Sequence, residues 1–183
     1  MKKAIISGVT GQDGYLLSKH LKEKNYKILG LSRYKNKNKS IIKTDYSEKS
    51  LKKIINTFKP DEIYNLTGFT KPSLSWKFPK DNFFANLNIT LNFLEILKIK
   101  KKIKFFNASS SEIFSDDDKL INEDTKIFPK NPYGISKTAS YFLVNAYREK
   151  YGLFLINGIL FNHESYKKDE SYLLKYLLSS CKK

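Results

Sequence analysis

The sequence predicts an α/β fold built around a doubly wound, parallel β-sheet. Short apolar segments suited to buried strands alternate with longer segments in which apolar residues recur at helical spacing. Such alternation is typical of βαβ units, whose helices cover both faces of a parallel sheet. The chain has 183 residues, of which 40% are hydrophobic, so it is long enough for one domain with a single core.

The individual elements follow from their local patterns. Strands are predicted at residues 3–7, 26–31, 40–43, 62–67, 104–108 and 153–160. Helices are predicted at residues 15–25, 51–58, 80–98, 133–151 and 171–180. In the second helix Leu51, Ile54 and Phe58 fall on one face, and Pro60 ends it because proline cannot continue the hydrogen-bond pattern. The third helix carries the apolar residues Phe83, Phe84, Leu87, Leu91, Leu94 and Leu97.

The net charge of +16 comes almost entirely from lysine. The 34 basic residues include only two arginines, Arg33 and Arg148, although nucleic-acid readers favour the arginine fork. We therefore interpret the charge as a solvated surface and predict no nucleic-acid partner, with a polyanion-binding surface as the alternative. No apolar run reaches the ~20 residues of a membrane span. The single cysteine, Cys181, excludes an internal disulfide and a multi-cysteine metal site and fits a reducing cytoplasm.

A glycine-rich turn follows the first predicted strand. It reads Gly8-Val9-Thr10-Gly11-Gln12-Asp13-Gly14 and leads into the first predicted helix. Gly8 permits a tight turn, Gly11 lets the backbone approach a pyrophosphate, and Gly14 lets the helix pack closely on the strand. The free N–H groups and the dipole at a helix N-terminus favour an anion there. The turn therefore predicts a dinucleotide site, and a glycine-rich connection without a ligand is the alternative.

The end of the second predicted strand indicates which dinucleotide binds. Ser32 and Arg33 stand where an acid would bind the ribose 2′-hydroxyl of NAD, and a cation there suits the 2′-phosphate of NADP. We therefore predict NADP, and the alternative is that Arg33 is one more surface cation. Asp45 follows the third strand, where its carboxylate either accepts from the adenine amino group or caps the helix beginning near Ser47.

Hydroxyl and ionisable side chains surround the end of the fifth predicted strand and the helix after it. Tyr133 and Lys137 lie at i and i+4 on one helix face, where an ammonium lowers the pKa of a phenol and favours general acid–base chemistry. Ser110 and Glu112 lie at the carboxyl end of the strand, where ligands bind in open parallel sheets. In a chain with 12 tyrosines the spacing alone has little weight, so the position of the pair carries the prediction.

Four segments of the chain resemble the GDP-mannose 4,6-dehydratases, a family of extended short-chain dehydrogenases/reductases. The segments are GVTGQDG at 8–14, FFNASSSEIF at 105–114, NPYGISK at 131–137 and NGILFNHES at 157–165. They occur in the family's order, and the similarity runs from residue 3 to about residue 168. The resemblance implies an NADP-binding Rossmann fold and a lyase of nucleotide-sugar metabolism, on the route to GDP-fucose.

The resemblance also implies a set of site residues. The implied catalytic residues are Ser110, where threonine is more usual, Glu112, Tyr133 and Lys137. The implied cofactor-binding residues are Gly8, Val9, Thr10, Gly11, Gln12, Asp13, Gly14, Arg33, Asp45, Leu66, Thr67, Thr70, Lys137, His163 and Lys168. After NHES the family usually has a proline and two arginines, whereas this chain has Tyr166-Lys167-Lys168. A lysine keeps the charge there but loses the fork geometry for a phosphate.

The family reaction gives each implied catalytic group a role. Tyr133 takes the proton of the sugar's 4-hydroxyl while hydride passes from C4 to NADP. Glu112 then removes the acidified C5 proton, water leaves from C6, and hydride returns to C6. The implied net reaction converts GDP-mannose to GDP-4-keto-6-deoxy-mannose and water. Structural interpretations of single residues also stay open. In these, Glu112 is a solvated loop acid, the serines at 109–111 form turn hydrogen bonds, and His163 is a core histidine.

Other functions stay open for the chain as a whole. The nearest alternative is another sugar-nucleotide dehydratase or epimerase, such as a relative of dTDP-glucose 4,6-dehydratase, and the NGILFNHES segment argues against it. A non-catalytic NADP-binding or interaction module is a second alternative. The third alternative is a polyanion-binding protein. Binding to DNA that depends steeply on salt, without any binding of NADP, would favour this alternative.

The resemblance sets expectations for domains and assembly. We expect residues 1–165 to form the dinucleotide-binding Rossmann domain and residues 166–183 to begin the family's substrate sub-domain, most of which would lie beyond residue 183. Because that sub-domain positions the GDP-mannose, we expect this chain alone to bind NADP weakly and to be nearly inactive. The family further implies a homo-oligomer when the sub-domain is supplied, with the helices at 80–98 and 133–151 packed across a dimer interface.

Overall fold

The computed structural model describes residues 1–115, 120–168 and 172–181. The strands within these ranges are β1 (Lys3–Ser7), β2 (Lys27–Ser32), β3 (Ile41–Lys43), β4 (Glu62–Asn65), β5 (Lys104–Ser110) and β6 (Leu155–Leu160). The α-helices are α1 (Gln12–Glu23), α2 (Glu48–Phe58), α3 (Pro79–Phe83), α4 (Ile89–Leu97), α5 (Pro132–Tyr151) and α6 (Leu173–Ser180).

The strands form one sheet in the order β3-β2-β1-β4-β5-β6. Every neighbouring pair is parallel, which confirms the predicted doubly wound sheet. The chain runs outward in one direction from β1 to β3 and in the other from β4 to β6. The carboxyl ends of β1 and β4 therefore flank the crevice where open α/β sheets bind ligands.

Both faces of the sheet are covered by apolar side chains. On one face Ile5 of β1 packs with Phe93 of α4, Phe105 of β5 and Val144 of α5 in the larger core. On the other face a smaller core, which includes Leu21 of α1, receives alternate residues of the same strands. This alternation follows from the two-residue period of a strand and explains why the short strands are apolar on both sides.

The third predicted helix differs from a single regular helix. A π-helical stretch at Phe84–Asn88 separates α3 from α4 within the predicted span 80–98. Around it Asn82, Asn86 and Thr90 are buried polar residues. Apolar periodicity predicts where a helix lies, but it carries no information on a local change of hydrogen-bond pattern, and π-bulges of this kind often occur at functional sites.

Among the helices of residues 1–115, 120–168 and 172–181, none is long and apolar enough to cross a membrane. In those same ranges, no group of three or more His, Cys, Asp or Glu side chains is placed to hold a metal ion.

Candidate active site

The predicted catalytic residues lie where β5 ends and α5 begins. Ser110 is the last residue of β5, and a 3₁₀ turn that contains Glu112 follows directly. The Ser110 hydroxyl accepts a hydrogen bond from the Glu112 backbone N–H at 3.2 Å. A Cβ at Gly134 would lie 2.3 Å from the Glu112 carbonyl oxygen, so glycine is what lets the first turn of α5 approach this closely. The approach brings Tyr133, the second residue of α5, to the end of β5.

Asn131 connects the start of α5 with the Glu112 turn. It is the N-cap of the helix, and its side-chain oxygen accepts the Gly134 N–H at 2.8 Å. Pro132 follows at the first helical position, where a missing N–H costs nothing. The Asn131 Nδ2 donates to Glu112 Oε2 at 2.8 Å. The same side chain therefore caps the helix and contacts the predicted catalytic carboxylate.

The pKa of Tyr133 is raised in this environment. Burial raises the pKa of Tyr133, and this effect outweighs the hydrogen bond with the Ser110 side chain, which lowers it. The Glu112 carboxylate raises the pKa of Tyr133 further. The prediction that Lys137, one helical turn away, lowers the pKa of Tyr133 is wrong, because the net pKa is raised. The free-energy cost of removing a phenolate from water exceeds the stabilisation that its local contacts give.

Lys137 lies beneath Tyr133 and is almost completely buried. Its Nζ donates to the Ala108 carbonyl at 2.8 Å and lies 5.8 Å from the centroid of the Tyr133 ring. Burial lowers the pKa of Lys137 to about 8. A Cβ at Gly68 would lie 3.2 Å from this Nζ, so the loop after β4 closes over the ammonium. A lysine with a pKa near neutrality is typical of functional sites, although buried structural lysines also show this shift.

Buried amide and hydroxyl groups hold the helices around Lys137. Asn86 Oδ1 accepts the Phe69 N–H at 3.0 Å, which ties the loop after β4 to the π-helical stretch. Asn86 Nδ2 donates to Ser136 Oγ at 3.0 Å, and Ser136 Oγ donates to Asn82 Oδ1 at 2.7 Å. The network therefore links three separate segments at the level of the predicted catalytic residues.

A row of polar side chains crosses the sheet just below this level. Ser7, Asn65, Asn107 and Asn157 are direct cross-strand neighbours on β1, β4, β5 and β6. Their side chains form a chain of hydrogen bonds of 3.2, 3.1 and 3.0 Å. Asn65 Nδ2 also donates to Thr90 of α4 at 3.1 Å. Satisfied buried networks of this kind favour one register over its alternatives.

The glycine-rich turn has a shape that fits a pyrophosphate. Gly8 has a φ of +75°, and a Cβ there would lie 2.8 Å from the Leu66 carbonyl oxygen. At Gly11 a Cβ would meet only the Gly8 carbonyl oxygen, at 3.4 Å, so this side of the turn is open. Gln12 Oε1 is buried and has no hydrogen-bond partner among the described residues. The open backbone and the unpaired polar atom at the start of α1 suit a dinucleotide.

The other residues of the turn face different surroundings. Val9 is buried in the core on the α1 side, where its side chain fills the space above Gly30. Thr10 is exposed. Gly14 packs so tightly that a Cβ would lie 2.4 Å from the Gly8 carbonyl oxygen. The Val9 side chain is therefore occupied by core packing, whereas the Thr10 side chain is open to solvent.

Arg33 and Asp45 follow the ends of β2 and β3. The exposed Arg33 guanidinium lies 5.4 Å from the Phe84 ring centroid, at the π-helical stretch. Asp45 accepts hydrogen bonds from the backbone N–H and the hydroxyl of Ser47, at 3.0 and 2.9 Å. The N–H bond is the largest cause of the lowered pKa of Asp45. Ser47, and not Asp45, is the N-cap of α2.

Three residues after β4 were predicted to bind the cofactor, and their side chains contact other parts of the chain. Leu66 packs against the core on the α1 side. The Thr67 hydroxyl forms a short hydrogen bond with the Ser7 hydroxyl. The Thr70 carbonyl and hydroxyl oxygens both accept from the Tyr172 hydroxyl at 3.2 Å, which ties this loop to the residue before α6.

His163 and Lys168 lie in the segment after β6. His163 Nε2 lies 2.7 Å from Asp13 Oδ1, and its Nδ1 lies 2.7 Å from the Phe161 carbonyl oxygen. The Phe161 bond, followed by the Asp13 bond, raises the pKa of His163. Lys168 Nζ donates to the His163 carbonyl at 2.9 Å and to Glu164 at 2.8 Å. The structure thus brings His163 to the glycine-rich turn and shows that it is not a core histidine.

Sequence reasoning missed most of the amides around the site. Asn131 precedes a proline at a predicted helix start, which is a sequence signal for an N-cap. Asn107 and Asn157 lie within the segments that carry the family resemblance, but their row across the sheet depends on strand order. Asn86 had no such signal, because its burial depends on the π-helical stretch.

The family comparison is specific. The family model described as GDP-mannose 4,6 dehydratase matches residues 5–182. GDP-mannose 4,6 dehydratase 1 of Arabidopsis thaliana is 34% identical over 201 residues, covering 95% of this chain and 55% of the plant protein. The human GDP-mannose 4,6 dehydratase is also 34% identical, covering 98% of this chain and 55% of the human protein. The chain therefore spans about half the length of the curated relatives it matches.

Solved structures show the same fold at lower identity. UDP-glucuronic acid 4-epimerase from Bacillus cereus, in complex with UDP-glucuronic acid and NAD, superposes with a TM-score of 0.87 at 21% identity, covering 98% of this chain and 62% of that one. dTDP-glucose 4,6-dehydratase from Bacillus anthracis, in complex with NAD, superposes with a TM-score of 0.85 at 18% identity, covering 99% and 61%. These similarities show the Rossmann fold.

Proposed function

The chain belongs to the GDP-mannose 4,6-dehydratase family, and from this premise we propose that it takes part in converting GDP-mannose to GDP-4-keto-6-deoxy-mannose and water. The observation that carries the proposal is the meeting of Ser110, Glu112 and Tyr133 above the buried Lys137 at the end of β5. These are the proton-transfer groups that a dehydration requires, and they lie where α/β folds bind ligands.

The chain's own residues divide the proton transfers between two groups. Tyr133 and Ser110 form a hydrogen-bonded hydroxyl pair. Tyr133, as the phenolate, accepts the proton of the sugar's 4-hydroxyl and returns a proton to C5 after C6 has received hydride. The Glu112 carboxylate, contacted by Asn131, removes the C5 proton and acts as acid toward the departing 6-hydroxyl. Lys137 is held against the Ala108 carbonyl below Tyr133, where its charge favours the deprotonated phenol during the transfer.

We assign the cofactor role to NADP, which when bound supplies the hydride acceptor and donor. The open glycine-rich turn supports a pyrophosphate there, and Arg33 supports the 2′-phosphate because it stands as a cation at the end of β2. Asp45, which follows β3, and His163 and Lys168, which follow β6, complete the proposed contacts. Their roles stay predictions, as do those of Leu66, Thr67 and Thr70.

The domain boundary, assembly and location belong to the same proposal. We assign residues 1–165 to the dinucleotide-binding domain and residues 166–183 to the start of the substrate sub-domain, and residues 169–171 and 182–183 lie outside the described ranges. The half-exposed Ile135 and Phe142 on α5 support a helical contact in a homo-oligomer. The exposed Cys181 thiol suits the cytoplasm, where thiols stay reduced.

A paired turnover assay tests the proposed function. The purified chain is incubated with NADP and either GDP-mannose or dTDP-glucose, and the keto sugar is detected by mass spectrometry. Because this chain alone is expected to be nearly inactive, we expect a low but detectable rate of product formation from GDP-mannose and none from dTDP-glucose. In a separate titration we expect NADP to bind more tightly than NAD, although weakly. Product from dTDP-glucose alone would contradict the substrate assignment, and tighter binding of NAD would contradict the cofactor assignment.

A further inference from the structure

We propose that Asn131 is a positioning residue for the Glu112 carboxylate, an inference that rests on the proposed catalytic role of Glu112. Both ends of one side-chain amide are in use. The Asn131 oxygen accepts the Gly134 N–H at 2.8 Å, and the Asn131 nitrogen donates to Glu112 Oε2 at 2.8 Å. A single residue therefore connects the first turn of the helix that carries Tyr133 to the carboxylate.

The helix cap determines which way the amide points. If the Asn131 amide were rotated by 180°, its NH₂ group would face the Gly134 N–H, placing donor against donor. The cap therefore keeps the NH₂ group directed at Glu112. Because Asn131 has an extended backbone and precedes a proline that restricts it, the amide is held by the chain as well as by its hydrogen bonds.

This contact limits the freedom of a side chain that is otherwise long and flexible. Glu112 lies on a 3₁₀ turn, and its carboxylate is three rotatable bonds from the backbone. Gly134 brings the helix start against the Glu112 carbonyl oxygen on one side, while the Asn131 amide holds the carboxylate on the other. An NH₂ donor stabilises the ionised carboxylate, which is the form that accepts a proton from substrate.

Two substitutions separate positioning from helix capping. Asn131→Ser keeps a good N-cap but removes the amide donor, because a serine hydroxyl is too short to do both. Asn131→Asp also keeps the cap but sets a second carboxylate against Glu112. Val144→Ala, in the buried core of the same helix, is the control for loss of stability without change at the site.

Nuclear magnetic resonance tests the contact without any turnover. The side-chain NH₂ signal of Asn131, identified by its loss in Asn131→Ser, is followed in ¹⁵N-labelled protein as the pH is lowered. We expect this signal to shift in one step as Glu112 takes up a proton, and we expect the step to vanish in Glu112→Gln. A signal that does not respond to pH, or that responds equally in Glu112→Gln, would overturn the proposal.

Kinetics then test the consequence for catalysis. We expect Asn131→Ser to lower kcat roughly 10- to 100-fold with KM nearly unchanged. We expect Asn131→Asp to lower kcat further and to move the acidic limb of the pH–rate profile to higher pH. Full activity and an unmoved profile in Asn131→Asp would refute the positioning role. If the wild-type chain shows no turnover, the proposed function fails on that assay, while the resonance experiment still decides the contact.

Discussion

The two halves of the candidate site are built differently. Around the end of β5, Tyr133 and Lys137 belong to one helix and are largely removed from water. The Asn86 amide hydrogen-bonds to this helix. Around the glycine-rich turn, Arg33 and His163 lie on loops and are exposed. The first half shifts the pKa values of its groups mainly through burial, whereas the raised pKa of His163 results mainly from two hydrogen bonds.

The difference follows from what each half is proposed to do. Proton transfer benefits from groups held in place before substrate arrives, in an environment of low dielectric constant. A charged phosphate ligand needs cations that stay hydrated until it binds, because an unpaired buried charge is costly. The comparison therefore predicts large effects from substitutions at the end of β5 and small effects from substitutions at the exposed loops.

The largest effect is expected for Tyr133→Phe. The change removes only the phenolic oxygen, so the fold should be preserved while the proton path through the hydroxyl pair is lost. We expect kcat with GDP-mannose to fall by roughly 10³-fold, or about 4 kcal/mol. Initial rates, with circular dichroism as the check on folding, measure this. A variant within tenfold of wild type would show that Tyr133 is not the acid–base group.

A second effect concerns the row of amides across the sheet. In Asn107→Leu the Asn157 Oδ1 loses its donor and Asn65 Nδ2 loses an acceptor. We expect the free energy of unfolding to fall by about 2–4 kcal/mol, because the buried Asn65 and the half-buried Asn157 each lose a hydrogen-bond partner. Asn38→Ala, which removes an exposed bond to the Ser40 N–H, should cost less than about 1 kcal/mol. Urea unfolding of both variants measures the two losses of unfolding free energy. Equal losses would contradict the stabilising role of the buried row.

The buried ammonium predicts a pH dependence of stability. The pKa of Lys137 is lowered from 10.5 to about 8 in the folded chain. Between these values the unfolded chain binds more protons, so the free energy of unfolding contributed by Lys137 rises with pH. Relative to Lys137→Met, we expect the wild type to gain on the order of 2 kcal/mol between pH 7.5 and pH 10. Parallel pH curves for the two proteins would show that the lysine is not desolvated.

The smallest effect is expected at the exposed histidine. Because the pKa of His163 is raised, its stabilising contribution is present below the unfolded value of 6.5 and is lost as pH rises through the folded value. With 48% of its side chain exposed, we expect less than about 0.5 kcal/mol. In Asp13→Asn the NMR titration midpoint of His163 should fall but stay raised, because the Phe161 carbonyl contact remains. A midpoint that does not move would exclude the Asp13 contact.

The course of the backbone was largely predictable from local patterns. The alternation of apolar segments predicted the six strands of a parallel sheet, and the structure confirms them with shifts of a few residues at their ends. The strand beginning at Leu155 starts two residues later than predicted, after a left-handed Gly152 that ends α5. These features depend on residues that are neighbours along the chain, so the spacing of apolar residues in the sequence predicts them directly.

The chemical state of the site depended on the tertiary structure. Tyr133 and Lys137 were identifiable from their spacing, but the direction of the Tyr133 shift follows from burial, which the spacing does not contain. The row from Ser7 to Asn157 exists because the sheet order places four distant segments side by side. The contact between Asn131 and Glu112 likewise joins a helix cap to a turn 19 residues away. Desolvation and cross-strand pairing arise from contacts between residues far apart in sequence, so only the folded chain decides them.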